Sequence, residues 1–116
     1  MEQIRYIGLN KCDGLENIKI QELTKKHLTK LDKYIEDYTL IMKIKKHSIV
    51  KRSIDKRLKY SIHVKIEFPN ILINASYADW DLTRTVHRVF EKVEHEIEHK
   101  FKTQKKSWVK KRYKNA

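Results

Sequence analysis

The feature that most constrains the fold is a strict alternation of apolar and polar residues over positions 58–68. Every even position in this segment is apolar and every odd position is polar. Successive side chains of a β-strand point to opposite faces, so this period of two predicts a strand in a sheet with one solvated face. Pro69 and Asn70 then suit a tight turn, and residues 71–77 alternate again as the returning strand.

Two further strands and two helices complete the predicted order. Residues 39–46 alternate in the same way, and residues 4–9 are a weaker strand candidate near the N-terminus. A helical period predicts one helix from a capping residue among 13–17 to about residue 35, and a second helix after Asp79 or Asp81. The order β-α-β-β-β-α predicts an α+β two-layer sandwich, in which a four-stranded sheet carries two helices on one face.

Length and charge predict one basic domain with a basic tail. The chain has 116 residues, of which 40% are hydrophobic, so we expect a single folded domain over residues 1–103 and a mobile tail over residues 104–116. Lysine and arginine exceed aspartate and glutamate by 27 to 15. The excess lies in residues 45–57, which carry +5, and residues 100–116, which carry +8. Charge segregated in this way predicts a polyanionic partner, with nucleic acid as the first candidate.

Cysteine content and hydropathy indicate the compartment. Cys12 is the single cysteine, so no intramolecular disulfide is possible. The N-terminus has no apolar segment typical of a signal peptide, and the longest uncharged run, residues 68–78, is shorter than the roughly 18 to 20 residues that span a bilayer. We therefore expect a soluble, cytoplasmic protein with no membrane partner.

Basic residues are sorted onto one side of each predicted helix. Taking about 100° per residue, four lysines of the first helix fall within about 60° of arc and six basic residues of the second within about 80°. Mixed signs would serve solubility better, so the sorting favours phosphate binding over a merely solvated surface. The candidate nucleic-acid-binding residues on the helices are Lys19, Lys26, Lys30, Lys33, Arg84, Arg88, Lys92, His95, His99 and Lys102.

The two strongly basic segments add further candidates. Residues 45–57 are long for a hairpin connection, and they form either a twisted ribbon that extends the strands or a disordered loop that orders on a partner. In the tail, Trp108 either stacks on unpaired bases or packs on the domain. The tail candidates for nucleic-acid binding are Lys105, Lys106, Lys110, Lys111 and Arg112.

One motif superficially indicates an enzyme. Residues 95–99 match H-E-x-x-H, the helical signature of zinc proteases, in which two histidines one turn apart hold the metal. A catalytic zinc also needs a third protein ligand, and no His, Asp or Glu follows His99. We therefore expect no catalytic metal, no cofactor and no enzymatic activity.

Three segments resemble motifs of the ribosome hibernation-promoting factor family, also called ribosome-associated translation inhibitors. Residues 27–34 resemble its first-helix pattern, basic-Leu-x-Lys-Leu-x-Lys-aromatic. Residues 79–82 and 92–100 resemble the start and the Lys-Leu-Glu-Arg-Gln-Leu-x-Lys run of its second helix. The resemblance covers about residues 4–103 and fits the short members, which lack an added dimerisation domain.

The sequence departs from the family's pattern at five positions. His27, Thr83, Thr85, His87 and His95 stand where the family usually has a basic residue, Tyr, Ala, Asp or Asn, and Arg, respectively. A neutral histidine does not replace arginine at a phosphate, so individual contacts with RNA differ from the family's at these positions.

The resemblance implies a non-enzymatic inhibitor of translation that occupies the decoding cleft of the small ribosomal subunit. Such a protein would block mRNA and tRNA and keep idle ribosomes inactive under stress. Its partners would be the ribosome, through phosphates of small-subunit rRNA, and small-subunit ribosomal proteins. The alternative is a free-standing double-stranded-RNA-binding module, whose α-β-β-β-α order is contained in the predicted one.

Overall fold

A computed structural model describes residues 3–33, 35–51, 55–69 and 71–104 of the chain. The elements follow the predicted order, with a short 3-10 helix (Leu9–Lys11) after the first strand. They are β1 (Gln3–Ile7), α1 (Gly14–Leu31), β2 (Thr39–Lys51), β3 (Asp55–Phe68), β4 (Ile71–Asp79) and α2 (Leu82–Gln104). The four strands form one sheet, and the predicted α+β architecture is confirmed.

The strands lie in the sheet in chain order, β1-β2-β3-β4. β1 runs parallel to β2, whereas β2, β3 and β4 are antiparallel neighbours. The register aligns Leu40 with Ile66 and Ile73, and all three side chains are fully buried. The even positions of β2 and β3 therefore form one apolar face, as the alternation predicts.

Both helices pack on this apolar face. α2 lies over β3 and β4, and the Thr24 hydroxyl of α1 donates to Sδ of Met42 on β2 at 3.7 Å. The core that they enclose includes Ile20 from α1 and Phe90 from α2. No helix in the described part of the chain is long and apolar enough to cross a membrane. The opposite face of the sheet is left uncovered by the described elements.

Each helix begins at an aspartate that caps it. Asp13 Oδ1 accepts from the Glu16 amide at 2.8 Å, and Glu16 Oε1 accepts from the Asp13 amide at 2.9 Å, which is a capping box. At α2 the cap is Asp81, whose Oδ1 accepts from the Arg84 amide at 3.1 Å. Asp81, and not Asp79, therefore begins the second helix.

The predicted end of α1 near residue 35 is wrong, because the helix ends at Leu31. The Ile35 amide still donates to the Leu31 carbonyl at 3.0 Å, but Asp37 has a left-handed backbone (φ 53°) and turns the chain toward β2. Ile35 and Tyr38 are each 1% exposed. The chain leaves the helix so that both side chains reach the core before β2 begins.

The first strand is also shorter than the predicted segment 4–9, since β1 ends at Ile7. Gly8 has a φ of 98° and approaches β2 so closely that a Cβ there would lie 2.1 Å from the Ile44 carbonyl oxygen. Glycine tolerates this left-handed backbone and leaves room for the neighbouring strand. The chain therefore turns out of the sheet at Gly8.

The described residues of the basic segment, 45–51 and 55–57, extend the sheet as a two-stranded ribbon. β2 and β3 remain paired as far as Lys51 and Asp55. β4 ends at Asp79, opposite Tyr60, and does not accompany the ribbon. The ribbon interpretation is confirmed for the described residues, and the disordered-loop alternative is wrong there.

Candidate nucleic-acid interface

The predicted basic residues of the first helix all reach the surface. Lys19, Lys26 and Lys30 lie on α1, and Lys33 lies in the turn that follows it. All four side chains are exposed. These four lysines are called the α1 ridge.

The second helix presents the other predicted ridge. Its exposed members, called the α2 ridge, are Arg84, Arg88, Lys92, His95 and His99. The Lys102 side chain lies outside the described part of the structure, as do the tail residues Lys105, Lys106, Lys110, Lys111 and Arg112. The roles of these six residues stay predictions.

Both arginines of the α2 ridge hold a carboxylate. Arg84 Nη2 donates to Asp79 Oδ1 at 3.0 Å, and its Nε donates to Oδ2 of the same group. Hydrogen bonding to Arg84 lowers the pKa of Asp79 to about 2. Arg88 Nη1 lies 3.1 Å from Oε1 of Glu91. Each arginine side chain remains 53% exposed, so both guanidinium groups are accessible to a second anion.

Lys92 is bound to the edge of the sheet. Its Nζ donates to the Ser76 carbonyl at 2.9 Å and lies 5.3 Å from the centre of the Tyr77 ring. Lys92 and His95 also line a shallow groove that reaches across β4 to His63. This part of the α2 ridge therefore faces β4.

A row of glutamates separates the two ridges. α1 and α2 meet at His27, whose Nε2 is 2.8 Å from Nδ1 of His87. Glu91, Glu94 and Glu98 follow His87 at helical spacing and so lie on the side of α2 that faces α1. The α2 ridge lies beyond that row, toward β4. The ridges are consequently two separate basic strips.

His27 stands where the family pattern has a basic residue, yet it is buried between the helices. The side chain is 6% exposed, and its ring stacks on Phe90 with 4.7 Å between centroids. Burial, together with the nearby His87 and Lys30, lowers the pKa of His27 to about 4. The imidazole is therefore neutral at pH 7 and packs the helices together, and it is not a phosphate contact.

Lys46, one of the cations of the basic segment, also serves the fold. Its Nζ donates to Glu16 Oε1 at 2.6 Å, and the Tyr60 hydroxyl donates to Glu16 Oε2. Burial by itself would raise the pKa of Glu16, but the hydrogen bonds from Lys46 and Tyr60 hold it below its usual value. Sequence reasoning missed this cluster because its members come from three separate elements.

The histidines of the H-E-x-x-H segment are both at the surface. His95 and His99 lie one turn apart on α2 and are exposed. Within the described ranges, no three His, Cys, Asp or Glu side chains are placed to hold a metal ion. The lack of a catalytic zinc stays a prediction.

Two solved structures share this fold. One is a ribosomal subunit interface protein from Coxiella burnetii, with a TM-score of 0.54 and 22% identity over 88% of this chain and 97% of that one. The other is the N-terminal domain of Protein Y from Thermus thermophilus, with a TM-score of 0.50 and 20% identity over 84% of this chain and 93% of that one. No protein-family model and no curated protein sequence matches the chain. The fold expected from the family resemblance is thus observed.

Proposed function

We propose that this chain is a member of the ribosome hibernation-promoting factor family and binds the decoding cleft of the small ribosomal subunit. There the body of the domain takes the space of mRNA and tRNA, so that idle ribosomes do not translate. The protein acts in the cytoplasm by occupying this space, without catalysis and without a cofactor.

The shared fold carries this proposal. It extends over nearly the whole of both solved chains, one of which is named a ribosomal subunit interface protein. The sequence motifs add separate support, since residues 27–34 begin on α1 and residues 92–100 lie on α2, as in the family's pattern. Backbone similarity and residue types are independent observations, and they favour the same family.

The charge of the domain suits a phosphate-rich cleft. The formal net charge is +12, and phosphate contacts give affinity without reading base sequence. The proposed phosphate contacts are the α1 ridge, the α2 ridge, Lys102 and the tail lysines and arginine. Because glutamates separate the ridges, we expect the ridges to contact two different RNA segments.

The double-stranded-RNA-binding alternative keeps one specific support. The consecutive elements α1-β2-β3-β4-α2 have the α-β-β-β-α order of such modules. β1 is an additional strand that pairs in parallel with β2. Competition distinguishes the two functions: a ribosome ligand prefers intact small subunits over a plain RNA duplex by orders of magnitude at physiological salt.

Co-sedimentation with small ribosomal subunits at increasing salt tests the proposal. If about six to ten phosphates are engaged, affinity falls by roughly three to five decades between 50 and 200 mM monovalent salt, and by less if the rRNA behaves like single strands. Binding that is indifferent to salt, or no preference for subunits over the duplex, would contradict the proposal.

Charge reversal then locates the interface. Lys26→Glu/Lys30→Glu on α1 and Arg88→Glu/Lys92→Glu on α2 should each abolish inhibition in a cell-free translation reaction. Lys11→Glu/Lys25→Glu is the matched control, because both residues are exposed and lie outside the ridges. Equal loss in the control would mean that net charge alone matters.

The tail is tested by removal of residues 104–116. The shortened chain should still inhibit translation but bind ribosomes more weakly, because the tail adds charge and aromatic stacking without core residues. If the shortened chain lost all inhibition while the ridge variants still inhibited, the binding site would lie in the tail and not on the ridges.

A further inference from the structure

The face of the sheet opposite the helices carries a second concentration of basic side chains. It consists of the odd positions of β1, β2 and β3, and on β2 and β3 these positions alternate with buried core residues such as Met42 and Val64. Its charged and imidazole side chains within the described ranges are Arg5, Lys43, Lys45, His47, Lys59, His63, Lys65 and Glu67. This surface is called the open face.

The strand register makes the open face continuous. Lys43 lies opposite His63, and His47 lies opposite Lys59. Neighbouring strands are about 5 Å apart, and residues two positions apart on a strand are about 7 Å apart. Lys43 and Lys45 therefore sit beside each other at the centre of a cationic patch that β1 flanks with Arg5.

The charge of the open face is almost all of one sign. Among its described side chains the single carboxylate is Glu67, and it pairs with Lys65 at 3.3 Å. Arg5, Lys43 and Lys45 are exposed and make no ion pair with any described carboxylate. Solubility alone favours interspersed charges, so this one-sided arrangement indicates a polyanion.

The residue types indicate phosphates as the ligand. Sheet surfaces that read RNA bases stack them on aromatic side chains of the strands. The described positions of the open face on β2 and β3 carry no Phe, Tyr or Trp, and the two imidazole rings there, His47 and His63, each lie opposite a lysine. Trp80, at the end of β4, is 42% exposed, and Lys59 Nζ lies 5.5 Å from the centre of its ring. The open face therefore offers mainly cations for a backbone, with one tryptophan ring at its border.

We propose that the open face is a second RNA-binding surface, which holds a phosphodiester backbone through Arg5, Lys43 and Lys45. The choice of RNA as the polyanion rests on the proposed function. The domain then contacts RNA on opposite sides, with the ridges on one layer of the sandwich and the open face on the other. Two-sided contact is what a body enclosed in an RNA cleft needs, whereas a module lying on one duplex uses one side.

The test compares Lys43→Gln/Lys45→Gln with the matched control Lys11→Gln/Lys25→Gln, which removes the same charge from exposed positions outside the open face and the ridges. The probes are purified small ribosomal subunits and a 20-base-pair RNA hairpin. At about 0.1 M salt the Lys43→Gln/Lys45→Gln variant should bind subunits one to two decades more weakly than the parent, with a salt slope lower by roughly 1.4 to 1.8. The control variant should lose much less affinity for the subunits.

A footprint adds a direct readout. Lys43 and Lys45 of the parent should be protected from chemical methylation when subunits are bound, and Lys11 should not. Thermal unfolding of the Lys43→Gln/Lys45→Gln variant should match the parent, because both side chains are exposed.

The outcomes separate this inference from the proposed function. If the parent binds subunits and the open-face variant binds like the control, the open face is not an RNA surface and the proposed function stands. If the parent ignores subunits but binds the hairpin through Lys43 and Lys45, the open face stands and the proposed function fails. If binding to vesicles of anionic lipid, and not to either RNA probe, depends on these lysines, the inference is overturned.

Discussion

His27 Nε2 lies 2.8 Å from His87 Nδ1, and this contact joins the last third of α1 to the first third of α2. One ring nitrogen must donate and the other must accept. At least one of the two imidazoles must therefore be neutral, because an imidazolium has no acceptor. Nδ1 of His27 is buried and has no hydrogen-bond partner among the described residues. The charged groups that face this contact are Lys30 on α1 and Glu91 on α2.

The fold should lose stability in mild acid because of His27. Burial first, and then His87 and Lys30, lower its pKa from 6.5 to about 4. Between these two values the unfolded chain binds a proton that the folded chain does not, so the free energy of unfolding falls as the pH drops from about 6.5 to 4. The loss is at most about 3 kcal/mol. Urea unfolding at pH 7.0, 5.5 and 4.5 measures it.

The control for this prediction is His27→Phe, which keeps a ring against Phe90 but does not titrate. Its stability should depend less on pH over the same interval. Carboxylates with lowered pKa values, such as Glu16 and Asp79, lose their contribution mainly below their ordinary pKa values of 4.5 and 3.8, so they add little between pH 7.0 and 4.5. Equal pH dependence in both chains would contradict the role assigned to His27.

The two glycines of the chain should respond to alanine in opposite directions. Gly8→Ala places a Cβ 2.1 Å from the Ile44 carbonyl oxygen at a φ of 98°, so it should cost about 2 kcal/mol or more of stability. Gly14 lies in the first turn of α1, and a Cβ there would meet no atom within 4 Å. Gly14→Ala should therefore raise the stability by a few tenths to about 1 kcal/mol. Urea unfolding of both variants is the measurement, and similar effects would contradict this account.

Glu16 should be the carboxylate of α1 whose removal costs most. Glu16→Ala takes away half of the capping box and leaves the Lys46 ammonium and the Tyr60 hydroxyl without their partner. We expect a loss of about 2–4 kcal/mol. Glu22→Ala, an exposed change on the same helix, should stay within about 0.5 kcal/mol of the parent. A small effect at Glu16 would mean that water replaces its contacts.

The sheet and the core were predictable because they depend on backbone periodicity. Alternation over residues 58–68 places each side chain on a face without knowledge of any distant residue. The ends of β1 and α1 were not predictable in this way. β1 ends where Gly8 approaches Ile44 on β2, and α1 ends where the chain must turn to bury Tyr38. Both ends depend on contacts with distant parts of the chain.

The candidate site was predictable only in part, for a related reason. A helical projection measures angles about one helix axis and does not say which side meets a neighbouring helix. The projection alone therefore does not show that α1 lies on the side of α2 that carries His87 and the glutamates. His27 and His87 are two departures from the family's pattern, and their contact across sixty residues of chain is visible only in the structure.

The H-E-x-x-H segment should not bind zinc stoichiometrically. Tag-free protein should contain far less than one zinc per chain by metal analysis, and a chelator should leave its melting temperature unchanged. The reason is the missing third ligand beyond His99. Stoichiometric zinc together with unfolding on chelation would overturn this prediction.

Lys92 and Lys100 should keep the β4 edge from pairing with other strands. Lys92 donates to the Ser76 carbonyl and Lys100 donates to the Leu72 carbonyl. The two lysines are eight residues apart on α2, which is about 12 Å, and the two carbonyls are four residues apart on β4, which is about 13 Å. The spacing along the helix therefore matches the spacing along the strand. An edge strand with unpaired carbonyls is a template for strand addition. In sedimentation equilibrium, the apparent mass of the Lys92→Ala/Lys100→Ala variant should therefore rise with protein concentration more steeply than that of the parent.

The matched control is Lys92→Arg/Lys100→Arg, which keeps both donors and the charge. It should behave like the parent, because a guanidinium also donates to a carbonyl. Self-association of the alanine variant at the level of the parent would mean that the two lysines do not protect the edge. The same variants bear on the α2 ridge, because the Lys92 ammonium has three donors and can hold a phosphate while it donates to the Ser76 carbonyl.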